Sequence, residues 1–170
     1  MGGVTINNGP SSTNPPAEGY ISAYDTGTYT LTTPMAEEKM QYGVVTLSNG
    51  ITISGPNNTD IVFAQSGLYN LQFSAQVTCG TPQAHLFYVW LCKNSTPVQD
   101  TCSVYTIHGT HGGNNGHMIA ALNFFIQAAA GENFQLCWTA DDAAIKLETI
   151  APPLATIPQS PAIILTIQKI

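Results

Sequence analysis

The segment 67–77, GLYNLQFSAQV, restricts the fold more than any other part of this 170-residue chain. Apolar and polar residues alternate along it without a break. The apolar set is Tyr69, Leu71, Phe73, Ala75 and Val77. A period of two places this set on one face of a strand and the polar set on the other. The segment is therefore predicted to be a half-buried β-strand and not a helix.

Ten further runs rich in β-forming residues recur along the chain, separated by Gly, Pro, Asn and Ser. The predicted strands are Tyr20–Tyr24, Gln41–Leu47, Ile51–Ile53, Ile61–Phe63, Leu68–Thr78, Leu86–Cys92, Val98–Ile107, Met118–Ala128, Phe134–Thr139, Ile145–Thr149 and Ala162–Lys169. Many short strands with such spacing indicate an all-β sandwich or barrel. The one helical candidate is a single turn at Pro34–Met40, which contains good helix formers.

The composition and two of the strands favour self-assembly. Charged residues make up 8% of the chain, against about 25% in typical soluble domains. The segments 86–91 and 118–128 are apolar at both parities, so both faces of each strand need cover. Other copies of the chain would provide that cover. The alternatives are long loops folded over the outer face, and a monomer kept in solution by hydroxyl and amide groups.

Charge and segment type exclude several partners. The net charge is −6, and the chain has four scattered lysines and no arginine. Because nucleic-acid binding needs clustered cations, we expect no nucleic-acid partner and no acidic membrane surface. The N-terminus lacks the pattern of a secretory signal, and no apolar run is long enough to span a bilayer. We therefore expect a soluble chain made in a cytoplasm.

Cysteine and histidine patterns offer little chemistry. The cysteines are Cys79, Cys92, Cys102 and Cys137. Without export, free thiols are favoured over two disulfides, and no pair has the CxxC spacing of a zinc site. The segment 108–117 contains three histidines among four glycines, so we predict a flexible exposed loop rather than a metal site. Its candidate partner-contact residues are His108, His111, Asn114, Asn115 and His117.

No catalytic constellation is present in the sequence. The adjacent carboxylates 37–38 and 141–142 diverge in an extended chain and do not form a local acid/base pair. No nucleophile or phosphate-binding motif occurs. The chain is predicted not to be an enzyme and to need no cofactor and no metal. Residues 1–19, rich in Gly and Pro, are predicted to form an extended arm that is tied down on a neighbour; the alternative is an unstructured tail.

Four groups of residues resemble a known family. They are 67–69 (GLY) with 74–77 (SAQV), 89–91 (VWL) with 93–94 (KN), 131–138 (GENFQLCW) and 160–167 (SPAIILTI). In this order they resemble the tumour necrosis factor/complement globular-head jelly roll. The wording is most similar to the form carried by tailed phages and large DNA viruses, and the resemblance runs over residues 20–170.

The resemblance implies a jelly-roll domain of about ten strands, 20–170, that assembles as a three-fold homotrimer. It places Tyr69 near the trimer axis, and strand parity adds Phe73 and Phe125 to the trimer interface. The implied function is a virion surface protein that decorates or cements a capsid, with residues 1–19 binding the major capsid protein or another virion protein. The alternative is the receptor-binding head of a tail fibre or spike, which would contact a host receptor or glycan through the loop 108–117 and the connection 151–159.

Overall fold

Fourteen strands and one short 3-10 helix (Pro56–Asn58) form the regular structure of residues 19–170, the part of the chain that the computed structural model describes. The strands are β1 (Tyr20–Asp25), β2 (Thr28–Thr30), β3 (Glu38–Lys39), β4 (Val44–Asn49), β5 (Ile51–Ser54), β6 (Asp60–Phe63), β7 (Gly67–Cys79), β8 (His85–Lys93), β9 (Thr96–Pro97), β10 (Ser103–Ile107), β11 (Gly116–Ala128), β12 (Asn133–Ala140), β13 (Ile145–Glu148) and β14 (Ile163–Lys169). No α-helix occurs within residues 19–170, which confirms the predicted all-β class. The predicted arm, residues 1–19, lies outside the described residues except for Gly19.

The strands form two sheets of seven, and every pairing between them is antiparallel. Sheet A has the order β11-β7-β14-β1-β4, and β13 continues beside β7 beyond the end of β14 and carries β2. Sheet B has the order β10-β8-β12-β6-β5, with β9 on β8 and β3 on β12. The two-sheet architecture predicted from the strand pattern is thus present.

The hydrophobic core lies between the two sheets. The alternating apolar residues of β7 are almost fully buried, and the polar residues between them are not. Aromatic rings join the sheets: the ring of Phe63 in sheet B lies 4.5 Å from that of Tyr69 in sheet A. A second cluster pairs Phe87 with Trp138, at 5.8 Å between ring centroids. The period-two pattern that predicts β7 therefore also identifies which of its side chains build the core.

All eleven predicted strands correspond to strands of the structure, and the three short strands that the sequence did not predict are β2, β3 and β9. The prediction of a helical turn at Pro34–Met40 is wrong. Met35 has a positive φ of 63°, which ends a right-handed helical path. The strand β6 pairs only with the first two residues of β12. The rest of that edge of β12 is left open by β6, and β3 pairs with it instead of continuing a helix. Open strand edges bind extended chain because their backbone N–H and C=O groups need partners.

The described residues contain no helix long and apolar enough to cross a membrane.

Candidate functional site

The face of sheet A that points away from the core is a candidate binding surface. Five strands, β4, β1, β14, β7 and β11, lie side by side across it. Since the core takes alternate residues of each strand, the residues between them face outward. On β7 these are Leu68, Asn70, Gln72, Ser74 and Gln76, the polar set of the alternating segment together with Leu68. We call this surface the outer face of sheet A.

The outer face of sheet A is rich in exposed apolar side chains. Seven of the thirteen large apolar residues that are exposed among residues 19–170 lie on this face. They are Tyr20, Val44, Leu47, Leu68, Ile119, Phe125 and Ile164. Single exposed apolar side chains are normal on a protein surface, but a group on one sheet face indicates an interaction surface.

This face also lacks charged side chains. On the five strands only Asp25 and Lys169 carry a formal charge, and both are engaged elsewhere. The carboxylate of Asp25 accepts hydrogen bonds from the backbone N–H groups of Gly27 and Gly43, at 2.6 and 2.8 Å. Lys169 Nζ donates to Gln65 at 3.1 Å and lies over the buried ring of Tyr69. Depletion of charge with retention of apolar and amide groups is typical of the central part of a protein interface.

A groove crosses one side of the outer face. It has a volume of about 470 Å³ and lies between β4, β1 and β14. Tyr20, Leu47 and Thr166 are among its lining residues. The opposite side of the face, on the edge strand β11, carries the protruding Phe125 and Ile119, which are 68% and 58% exposed. The outer face is thus concave near one edge of the sheet, at β4, β1 and β14, and carries apolar projections near the other edge, on β11.

The structure separates the three aromatic residues predicted for the trimer interface. Tyr69 is fully buried within its own chain, and its hydroxyl donates to the carbonyl oxygen of Gln65 at 2.8 Å. Phe73 is also buried and stacks on Phe124, at 6.5 Å between ring centroids. Phe125 alone is exposed and lies on the outer face. A contact with another subunit is therefore open to the side chain of Phe125, whereas Tyr69 and Phe73 pack behind that face.

The loop at 108–117 carries all five predicted contact residues on the surface: His108, His111, Asn114, Asn115 and His117 are exposed. The loop has more internal order than its glycine content suggests. Backbone hydrogen bonds join His111 and Asn114 in both directions, at 2.9 and 3.1 Å, around Gly112 and Gly113 with positive φ. This arrangement is typical of a two-residue hairpin turn. Among the described residues, these histidines form no group with metal-ligand spacing.

His85 and the aspartates that follow β12 form a cluster at the same end of the molecule. His85 Nδ1 lies 3.1 Å from Asp141 Oδ1, and Nε2 lies 3.8 Å from Asp142 Oδ2. Asp141 also accepts a hydrogen bond from the backbone N–H of Leu86, at 3.0 Å. These contacts join the start of β8 to the end of β12 and hold the turn in place. A structural role explains all of them.

A further cluster of side chains lies on the outward side of sheet B and was not predicted from the sequence. The strands β8 and β12 carry Cys92 and Cys137 on the same outward face, one diagonal step apart. Glu37 precedes β3, the neighbour of β12 on its other edge. One ligand atom from each of these three residues lies within 4.8 Å of the other two. No short motif could have signalled this cluster because sequence separations of 55 and 45 residues divide its members.

A scan against family models gives no match for this chain, and a search of the curated proteins gives none either.

Proposed function

We propose that this chain is the subunit of a homotrimeric jelly roll that decorates or cements the surface of a viral capsid. The observation that carries the proposal is the outer face of sheet A, where exposed apolar side chains lie among uncharged polar ones and charge is depleted. Burial of these apolar side chains against other copies of the chain is favourable because it removes them from water.

The nesting of the strand pairs supports the jelly-roll form. The pair β8–β10 is enclosed in sequence by β7–β11, that pair by β6–β12, and that pair by β1–β14. Nested antiparallel pairs of this kind arise when one long ribbon of paired strands is wound across two sheets. A two-sheet jelly roll with Greek-key connections is the fold that such winding produces.

The shape of the outer face supports a ring of copies. The face carries projections near one edge of the sheet, at Phe125 and Ile119 on β11. Its groove lies toward the opposite edge, between β4, β1 and β14. A projection on one copy that enters a groove on the next makes a heterologous contact, and such contacts close into a ring when the rotation allows it. Of the three aromatic residues predicted for the trimer interface, Phe125 then makes the contact with the next copy. Tyr69 and Phe73 support β7 and β11 from the core side.

The capsid setting rests on the resemblance to the jelly rolls of tailed phages and large DNA viruses. The low content of charge, 8% of the residues, fits a protein that works in a closely packed shell. In this proposal the segment 1–19 binds the major capsid protein or another virion protein, the assembled protein lies on the virion surface, and neither an enzyme activity nor a cofactor is involved.

Immunogold electron microscopy of purified virus particles tests the proposal directly. An antibody raised against the full chain is expected to label the particle heads evenly. On a gel of the same particles, the band of the chain is expected to rival that of the major capsid protein, because a decoration protein occurs in many copies. An absence of label from every particle would overturn the viral setting.

The second candidate is the receptor-binding head of a tail fibre or spike, and one loop favours it. The connection between β13 and β14 is closed at its base by backbone hydrogen bonds between Ile150 and Ser160, at 3.0 and 3.1 Å. Within it Leu154 and Ile157 are 63% and 45% exposed. Exposed apolar tips on a rigid scaffold are suited to contact with a host receptor. Gold label confined to fibre ends, with a faint band on the gel, would select this candidate.

A further inference from the structure

Two thiols and a carboxylate meet on the outward side of sheet B. Cys92 on β8 and Cys137 on β12 are both buried, and Glu37 is exposed beside them. Their sulfur and oxygen atoms all lie within 4.8 Å of one another. Ligand atoms of a tetrahedral site with bonds of about 2.3 Å lie about 3.8 Å apart, so side-chain movements of about 1 Å bring all three onto one ion. The ligands come from two paired strands and from the residue that precedes a third, which fixes their backbones.

Two buried hydrogen-bond donors near the thiols have no partner among the described residues. They are the hydroxyl of Tyr42 and the indole Nε1–H of Trp90. Trp90 pairs directly with Cys137 across the two strands and lies two residues from Cys92, on the same outward face. The side chain of Tyr42 is 1% exposed. A thiol is a weak acceptor, whereas a thiolate is a strong one, so conversion of the thiols to bound thiolates would satisfy donors of this kind.

The surroundings provide access and negative charge. Glu37 and Lys39 line a surface cavity of about 420 Å³ together with Thr59, Asp60 and Ser95. The cavity gives an ion a path to the carboxylate side of the cluster. Two thiolates and one carboxylate carry three negative charges, and the further carboxylates of Glu38 and Asp60 line the same cavity beside the ammonium of Lys39, so the surroundings favour a cation.

We propose that Glu37, Cys92 and Cys137 form a binding site for one Zn²⁺ ion, with a water molecule from the cavity as the fourth ligand. Thiolate ligands select Zn²⁺ over hard cations such as Mg²⁺ and Ca²⁺. The bound ion ties β8, β12 and the segment before β3 together on the side of the molecule opposite the outer face of sheet A. The site is independent of the proposed function, because it requires neither a trimer nor a virion.

Zinc titration of the reduced full-length chain tests the site, with a competing chelator to measure affinity and elemental analysis to measure stoichiometry. We expect one equivalent of Zn²⁺ per chain. Co²⁺ in its place is expected to give the thiolate-to-metal absorption of a tetrahedral sulfur-containing site. The variants Cys92→Ser and Cys137→Ser are expected to abolish binding, and Cys102→Ser, which changes an exposed thiol elsewhere, is expected to bind as the unchanged chain does.

The pair Glu37→Gln and Glu148→Gln provides a matched control that does not depend on the core cysteines, since Glu148 lies on β13 of sheet A. Glu37 is exposed, so its substitution leaves folding intact. We expect Glu37→Gln to lower zinc affinity about tenfold or more, at least the loss that a supporting residue of a metal site causes, and Glu148→Gln to leave it unchanged. Substoichiometric binding, equal affinity of the two variants, or a Cys92–Cys137 disulfide in the purified protein would overturn the proposal.

Discussion

Phe125 lies directly opposite Asn70 in the pairing of β11 with β7, on the side of sheet A that faces away from the core. The two residues differ in sequence context: Asn70 belongs to the strictly alternating segment, and Phe125 belongs to a strand that is apolar at both parities. Their neighbours are turned toward the core, where Tyr69 is buried and Phe124 is half-buried, which leaves Phe125 as an exposed aromatic ring on the outer face.

The first prediction concerns this residue. In Phe125→Asp a charge replaces the ring, and a charge buried without a partner is strongly unfavourable. We expect the proposed trimer to dissociate into folded monomers in this variant, since the ring is 68% exposed within the chain. Sedimentation velocity measures the change, and circular dichroism checks the fold.

The matched control is Val104→Asp on β10 of sheet B, a site that is 54% exposed. This variant is expected to remain trimeric. Equal dissociation of both variants would mean that added charge, rather than the outer face of sheet A, controls assembly.

The second prediction separates a core role of Tyr69 from an interface role. Tyr69→Phe removes the hydrogen bond from the hydroxyl to Gln65 and leaves the ring in place, so it is expected to lower the free energy of unfolding by about 1 kcal/mol. The Tyr69→Ala change is expected to lower it by about 3–5 kcal/mol, because it leaves a cavity beside Phe63. Chemical denaturation at several protein concentrations measures both values. If the stability loss of Tyr69→Phe grew steadily with protein concentration, Tyr69 would act at the subunit contact.

The third prediction concerns a glycine at the base of the histidine loop. A Cβ on Gly116 would overlap the backbone carbonyl of His108. Because backbone cannot move aside cheaply, Gly116→Ala is expected to lower the free energy of unfolding by about 2–3 kcal/mol. Gly80→Ala is the control, since the atom nearest to its added Cβ is 4.0 Å away, and thermal unfolding compares the two. Equal melting temperatures of the two variants would show that the start of β11 does not approach the backbone of His108, directly after β10, this closely.

The fourth prediction is a pH dependence that arises from Glu132. A hydrogen bond from the backbone N–H of Ala129, at 2.8 Å, holds the pKa of this carboxyl below its usual value, and Lys93 lowers it further. A depressed pKa stabilises the folded state above the usual value of 4.5, and this contribution is lost as the pH falls through the folded value. We expect Glu132→Gln to melt below the unchanged chain at neutral pH. The difference between the two melting temperatures is expected to shrink as the pH falls below 4.5 and Glu132 becomes protonated in the folded state, and a gap that did not narrow on acidification would contradict the assignment.

Much of the fold could be predicted from the sequence because its strands carry a strong two-residue period. The segment 67–77 specified both the strand β7 and its buried set. The prediction of a helical turn at 34–40 failed because local helix propensity contributes less than pairing with the open edge of β12. That open edge, beyond β6, is visible only in three dimensions. The short strands β2 and β3 have too few residues to show a period.

The candidate sites followed the same division. Strand parity put both Phe73 and Phe125 in the predicted trimer interface, and the structure buries Phe73 while it leaves Phe125 exposed. Because β11 is apolar at both parities, alternation alone does not show which of its faces meets the core. The aromatic Tyr69 lies on the buried parity of β7, so alternation assigns it to the core, and its predicted place near the trimer axis came from the resemblance. The cluster of Glu37, Cys92 and Cys137 depends on the pairing of β8, β12 and β3. Such long-range pairings leave no local pattern to read.

The molar mass of the unmodified full-length chain in solution tests the central claim most directly. Light scattering coupled to gel filtration, repeated over a hundredfold range of concentration, is expected to give three times the mass of one chain throughout. A mass of one chain at every concentration would mean that the outer face of sheet A stays in water, and it would contradict the proposed trimer.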